Sequence, residues 1–195
     1  MRRKPAFFWV LFLTLWLVSC ATTPQQDIDT TQAAIQAARD AEADQYAPTE
    51  FQAATDLMNQ ANTEIQTQNS KFALFRNYDN AKQQLDQAKA AAEKAQGATV
   101  GGKAAAKTDA ETSLAEAQEA VDAAIAILAR APGGKGARAE IEAMSADVAG
   151  YENSLGEIQA QIDKEEYLDA AAKAKAVKEE SDKIVRQIQD AINKI

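Results

Sequence analysis

The chain has 195 residues, with 29 acidic against 21 basic side chains, no histidine and a single cysteine. That inventory excludes histidine-based acid–base and triad chemistry, nearly all zinc sites, di-iron bundles built on Glu-x-x-His pairs, and any intramolecular disulfide. A net charge of −8 lacks the clustered cations that binding to phosphate groups needs, so no nucleic-acid partner is expected and binding of the body to anionic lipid surfaces is disfavoured.

Arg2, Arg3 and Lys4 precede an apolar run from Ala6 to Val18, and a small residue, Ser19, stands before Cys20. Residues 1–19 read as a signal peptide, because the run falls short of the about 20 residues a helix needs to cross a bilayer. The order Leu17-Val18-Ser19-Cys20 resembles the lipobox of bacterial lipoproteins. The resemblance implies that the Cys20 thiol takes a diacylglycerol, that the chain is cut before it, and that the new amino group receives an acyl chain such as palmitate. Two or three acyl chains anchor firmly where one is marginal. Ala21 follows in place of the aspartate that signals inner-membrane retention in the enterobacterial version, which implies the outer membrane, facing the periplasm. No other cofactor is expected. The leader carries three of the 21 basic residues and none of the acidic ones, so the remaining chain has 18 basic against 29 acidic residues, net −11. Both tryptophans and three of six phenylalanines also leave with it, too great a loss for a thick core, and slender alanine-rich helices are predicted.

Residues 20–27 are expected to be the lipidated cysteine and a polar tether. Helical periodicity then starts, and no segment shows the alternation of a strand. A first helix is predicted from Ile28 to Asp44, with Ile28, Ile35 and Ala38 on one face. Pro48 suits the first turn of a second helix, striped by Phe51, Ala54, Met58, Ala61 and Ile65. Asn69-Ser70 is the predicted turn, Ser70 capping a third helix whose stripe is Phe75, Tyr78, Ala81, Leu85, Ala88, Ala92 and Ala95. The two should pair as an antiparallel hairpin. Gly97, Gly101 and Gly102 cost a helix about 1 kcal/mol each, so residues 97–103 are expected to be a linker between helical subdomains 28–96 and 104–195.

In the second subdomain Leu114, Ala117, Val121, Ala124 and Leu128 mark a fourth helix, stopped by Pro132-Gly133-Gly134. Ile141, Met144, Val148, Tyr151, Leu155, Ile158 and Ile162 mark a fifth. After a turn at Asp163 to Glu165 a sixth carries Tyr167, Ala170, Ala174, Val177, Ser181, Ile184, Ile188 and Ala191. The last two read as an antiparallel coiled-coil hairpin. The fold class is therefore all-α, helical hairpins in a coiled-coil-like bundle. Its halves read as two copies of a three-helix unit: Ala47-Pro48 recurs as Ala131-Pro132, and Tyr78-x-x-Ala81 as Tyr167-x-x-Ala170. Stripes of this kind close a hairpin or join chains equally well, so an oligomer is open.

At Ala47-Pro48-Thr49-Glu50-Phe51 and Tyr78-x-x-Ala81, followed by Leu85, Ala88 and Ala92, the chain resembles an alanine-rich domain of unknown function in Gram-negative envelope lipoproteins. That family is sometimes found ahead of an outer-membrane-protein-A-like peptidoglycan-binding domain. The resemblance covers about Ile28 to Gln96 and implies helical hairpins similar to tetratricopeptide units. The chain departs from it in a longer stretch around Phe72 and Phe75 and in lacking the peptidoglycan-binding domain, so wall binding by that route is not expected.

Gly97-x-x-x-x-Gly102-Lys103-Ala104 nearly spells a phosphate-binding P-loop, but Ala104 stands where Ser or Thr must reach magnesium, and helix rather than strand precedes it. Glu165, Glu166, Glu179 and Glu180 read as solvated charge rather than a metal site. An enzyme is not expected. Phe72, Phe75, Tyr46 and Tyr78 have two readings, as plugs of the first hairpin's core or as anchors for a partner docking on the body, Phe72 and Phe75 first among them. The expected function is a membrane-anchored structural or adaptor protein of the envelope, contacting other envelope proteins through helices. The alternative is a chaperone or pilotin-like assembly factor for secreted or outer-membrane clients, which calls for a concave apolar groove.

Overall fold

The computed structural model describes residues 22–131 and 138–193. Leu17, Val18, Ser19, Cys20 and the stop predicted at Pro132-Gly133-Gly134 lie outside them. The fold is all-α, with no strand among the described residues, and its helices pack as a bundle: α1 (Gln25–Asp40), α2 (Ala43–Tyr46), α3 (Pro48–Asn69), α4 (Asp79–Leu128), α5 (Arg138–Asp163) and α6 (Tyr167–Asn193), with a 3₁₀ turn at Ala73–Phe75.

Helix α4 is the axis of the molecule. Its 50 residues rise about 75 Å at 1.5 Å per residue. Its first half carries α1 and α3, and its second half carries α5 and α6. The Thr31 hydroxyl of α1 donates to the Leu85 carbonyl of α4 at 3.2 Å in a buried contact, while Lys175 of α6 pairs with Asp109 of α4 at 2.8 Å. Further along, Tyr46 rests on Gly102 and bonds Glu165, so α1 and α6 run alongside α4 in its own direction. Glu50 of α3 meets Lys94 and Asn69 meets Tyr78, and Glu157 of α5 meets Lys173 of α6, so α3 and α5 run against it. The α3 stripe Phe51, Ala54, Met58, Ala61 and Ile65 is buried against Ala81, Leu85, Ala88, Ala92 and Ala95. Alanine on both sides of the seam lets the helix axes approach toward the lower end of the roughly 8–10 Å range. In the other half Val121, Ala124, Leu155, Ile158, Ile184 and Ile188 close a second cluster.

Four sequence expectations are corrected. Residues 97–103 are not a linker but the interior of α4. Their glycines weaken the helix locally, yet Thr99 is buried and back-bonded to the Ala95 carbonyl at 3.0 Å, and partner helices clamp α4 on both sides. Tertiary packing outweighs propensity here. Ser70 is not the N-cap of a third helix but the C-cap of α3, its hydroxyl turned back to the Thr67 carbonyl at 2.7 Å. The first helix stops at Asp40 rather than Asp44, because Glu42 takes a left-handed conformation, φ 65°. The tether is shorter than expected, since α1 begins at Gln25 behind a buried Pro24.

The hairpin corners share a device. Tyr78 and Tyr167 are both buried where α4 and α6 begin, and Ala81 and Ala170, three residues on, are fully buried. The α5–α6 turn closes with the Glu166 N–H on the Gln161 carbonyl and the Glu165 N–H on the Ile162 carbonyl, both at 3.0 Å. That is a Schellman pattern with Glu165 at the left-handed position, φ 64°, usually held by glycine.

Candidate functional site

The α3–α4 loop is where the chain keeps large apolar side chains in water. Phe72, Leu74 and Phe75 are 69%, 62% and 74% exposed, and the two rings lie 6.3 Å apart between centroids. Phe75 is therefore not part of the α4 stripe, and neither phenylalanine plugs the hairpin core; of the four aromatics with two readings, Tyr78 is the one deeply buried, at 3% exposure. The spacing from Phe75 to Tyr78 imitates a helix, but the helix starts only at Asp79, whose N–H is bonded by the Asn77 side-chain oxygen at 2.7 Å.

The loop is held in shape by its polar residues. The Arg76 guanidinium donates to the carbonyls of Lys71 at 3.0 Å and Asn69 at 2.9 Å. The Gln68 side-chain oxygen accepts from the Asn77 N–H at 3.1 Å and from the Lys71 ammonium at 3.0 Å. The Phe75 N–H closes the 3₁₀ turn on the Phe72 carbonyl at 2.9 Å. The Asn69 side-chain oxygen accepts from Tyr78 at 2.5 Å and from Thr23 at 3.4 Å. That last bond sets the loop at the end of the bundle where the chain leads back toward Cys20. Leu74, which the sequence reading did not single out, completes the apolar tip.

A second cluster forms halfway along α4. Gly102 lies against the Tyr46 backbone, where an added Cβ would come within 2.7 Å of the Tyr46 carbonyl carbon. The absence of a side chain thus lets the α2–α3 corner rest directly on α4. Lys103 pairs with Glu42 and sits 5.4 Å over the Tyr46 ring, and the Tyr46 hydroxyl donates to the Glu165 carbonyl at 3.3 Å. Burial, helped by the negative charge of Glu42, raises the Tyr46 pKa above 10.0. The hydrogen bond to Glu42 holds Lys103 above 10.5. The result is a polar cleft of about 290 Å³ at the meeting of the α1–α2 and α5–α6 corners. Both left-handed glutamates line it. Nothing in the sequence pattern marks those two positions, because glutamate is not a residue from which positive φ is inferred.

A further concavity of about 70 Å³ between α5 and α6 is lined mainly by Ala131, Ile141, Met144, Ile188 and Ala191, and two others are open grooves. One of about 550 Å³ between α1 and α3 is lined mainly by Gln32, Gln36, Arg39, Asn59 and Asn62 around Ile35 and Met58. Another of about 520 Å³ between α4 and α5 mixes Leu114 and Leu155 with Glu111, Gln118 and Gln159. Among the described residues no helix is long and apolar enough to cross a membrane, and no three acidic or cysteine side chains gather as a metal site. The backbone N–H groups of the P-loop-like run lie inside α4, where a helix uses them for its own bonds.

Residues 26–106 match the domain of unknown function DUF4398. The match runs through the glycine stretch, so the domain includes the helix interior that the composition reads as a boundary. No curated protein and no solved structure matches the chain.

Proposed function

We propose that the chain is a lipid-anchored envelope protein, held by acylated Cys20 to the periplasmic face of the outer membrane, which acts as a rigid spacer and adaptor. The observation that carries this reading is the single helix α4. It begins beside the point where the chain leads back to Cys20, and it ends about 75 Å away by helical rise in the half that bears α5 and α6. An anchored strut of that length presents its far half to other envelope components well away from the lipid surface. The −11 charge of the chain after Ser19 keeps such a body soluble along its length. Polar side chains interrupt both large grooves, Gln32, Gln36, Asn59 and Asn62 between α1 and α3 and Glu111, Gln118 and Gln159 between α4 and α5, which favours a spacer over a chaperone, since unfolded clients need a continuous apolar trough.

The test is in-cell photo-crosslinking from Ile125, which is exposed on the far half of α4, with native Cys20 and with Cys20→Ser. One dominant envelope protein should be captured, and its yield should collapse in Cys20→Ser. A broad set of unfolded clients would replace the spacer with a chaperone, and an adduct indifferent to Cys20→Ser would remove anchoring from the function.

A further inference from the structure

We infer that the Phe72–Phe75 tip is a second membrane contact, which inserts into the same leaflet that receives the acyl chains of Cys20; the inference rests on the anchoring proposed above. Three observations lead to the bilayer rather than to a protein. The first is position: Thr23 is hydrogen-bonded to Asn69, and Cys20 lies three residues before Thr23, a reach of at most about 11 Å for extended chain. A lipid seated at Cys20 brings the membrane surface to the end of the bundle that carries the loop.

The second is the form of the tip. Phe72, Leu74 and Phe75 stand in water on a loop whose backbone is fixed by Arg76, Gln68 and the 3₁₀ turn. A loop already ordered loses little conformational entropy on inserting. Phenylalanine and leucine at the level of the headgroup–acyl boundary are the side chains of an interfacial anchor. The third is charge. Lys71 and Arg76 flank the tip immediately on either side, which puts cations at headgroup height, while the acidic residues of this end, Asp27 and Asp79, lie in the first turns of α1 and α4 rather than in the tip.

A lipid anchor alone leaves the body free to swivel on its tether, whereas an anchor and an inserted tip give two attachment points and hence a set orientation. The α4 axis then stands off the membrane with α5 and α6 outermost. Lipid and tip bind as linked modules, so each raises the effective concentration of the other.

The chain after Ser19 contains no tryptophan, so a single Phe75→Trp substitution gives an unambiguous reporter. The full acylated protein carrying it is reconstituted in vesicles of phosphatidylethanolamine with a minor share of phosphatidylglycerol. Emission should shift to the blue, be quenched by lipids brominated near the headgroup end of their chains, and be shielded from aqueous iodide. Val100→Trp, on an exposed position of mid-α4, should stay fully quenchable by iodide. The combined variant Phe72→Ser/Leu74→Ser/Phe75→Ser should keep its helical circular dichroism. Without acylation, as Cys20→Ser, it should partition onto these vesicles at least about tenfold more weakly than Cys20→Ser alone.

A tryptophan at 75 that stays open to iodide on anchored protein overturns the inference. So does shielding that occurs without lipid and rises with protein concentration, which assigns the tip to a second copy, or shielding that needs an added envelope protein. Anchoring is scored separately by the mass of the N-terminal peptide. A peptide without acyl chains refutes the anchor, while bromolipid quenching still decides the tip.

Discussion

Gly102→Ala is the substitution that most directly interrogates how the two halves meet on α4. In an isolated helix the change is favourable by about 1 kcal/mol. In this structure a methyl group at 102 is driven into the Tyr46 carbonyl and lies 3.1 Å from the Tyr46 Cβ. The obstacle is backbone, so neither side escapes by a rotamer change. Overpacking of this kind costs roughly 1–3 kcal/mol, and a contact with fixed main chain belongs at the upper end. The balance is a net loss of about 1–2 kcal/mol, or some 2–8 °C in melting temperature for a chain of this size. Gly101→Ala is the internal control: nothing lies within 4 Å of its added Cβ, so it should raise the melting temperature by about 2–4 °C. Both are read by far-UV circular dichroism on thermal unfolding. If Gly102→Ala melts at or above the unsubstituted protein, the direct seating of the α2–α3 corner on α4 is wrong. If Gly101→Ala falls as far as Gly102→Ala, residues 97–103 are not helical.

The Ser181 hydroxyl is fully buried in the α6 core and has no hydrogen-bond partner among the described residues, so Ser181→Ala should stabilise by about 1 kcal/mol; an unchanged or lowered melting temperature would show that a partner is present. Glu165→Gly relieves a left-handed backbone and should stabilise by about 0.5–1 kcal/mol, as measured by urea unfolding, with a midpoint at or below that of the parent counting against the Schellman turn. The hydrogen bond from Lys173 lowers the Glu157 pKa below 4.5. Because the folded value is depressed, this pair's stabilisation is complete above the unfolded value and is lost as pH falls through the folded one. A carboxyl NMR titration should place Glu157 below ordinary glutamates and return it to them in Lys173→Gln; identical midpoints in the two proteins would refute the pair.

The parts of the fold legible in the sequence are those where a helix buries one face. The series from Phe51 to Ile65 and from Tyr167 to Ile188 are buried at the positions their spacing predicts, as are Val148, Leu155, Ile158 and Ile162, because a single buried face leaves a three–four imprint in the residues; Ile141, Met144 and Tyr151 are only half-buried and Ala191 is exposed. Where two forces compete, spacing alone misleads. Phe75 keeps the right interval from Tyr78 but lies outside the helix, since α4 begins only at Asp79, whose N–H donates to the Asn77 side-chain oxygen. The glycines at 97, 101 and 102 read as a break because their cost is local, whereas what offsets it comes from helices packed on α4 from both sides, distant in sequence, with the Tyr46 backbone resting on Gly102. The polar junction was illegible for a further reason: it depends on two glutamates in a conformation glutamate seldom adopts. The apolar tip was half visible, with Phe72 and Phe75 marked as candidate contacts and Leu74 missed because a lone leucine between two aromatics has no periodic partner.

One mechanical property follows from the unbroken run Asp79–Leu128. About fourteen turns share one ladder of hydrogen bonds, so both separation and azimuth between any two positions on it are set, at 1.5 Å and about 100° per residue. A torque applied near Ile127 reaches Ala81 as rotation instead of dissipating at a joint. The protein transmits like a crankshaft, and labels placed along this run form a built-in ruler for measuring how high its outermost hairpin rides.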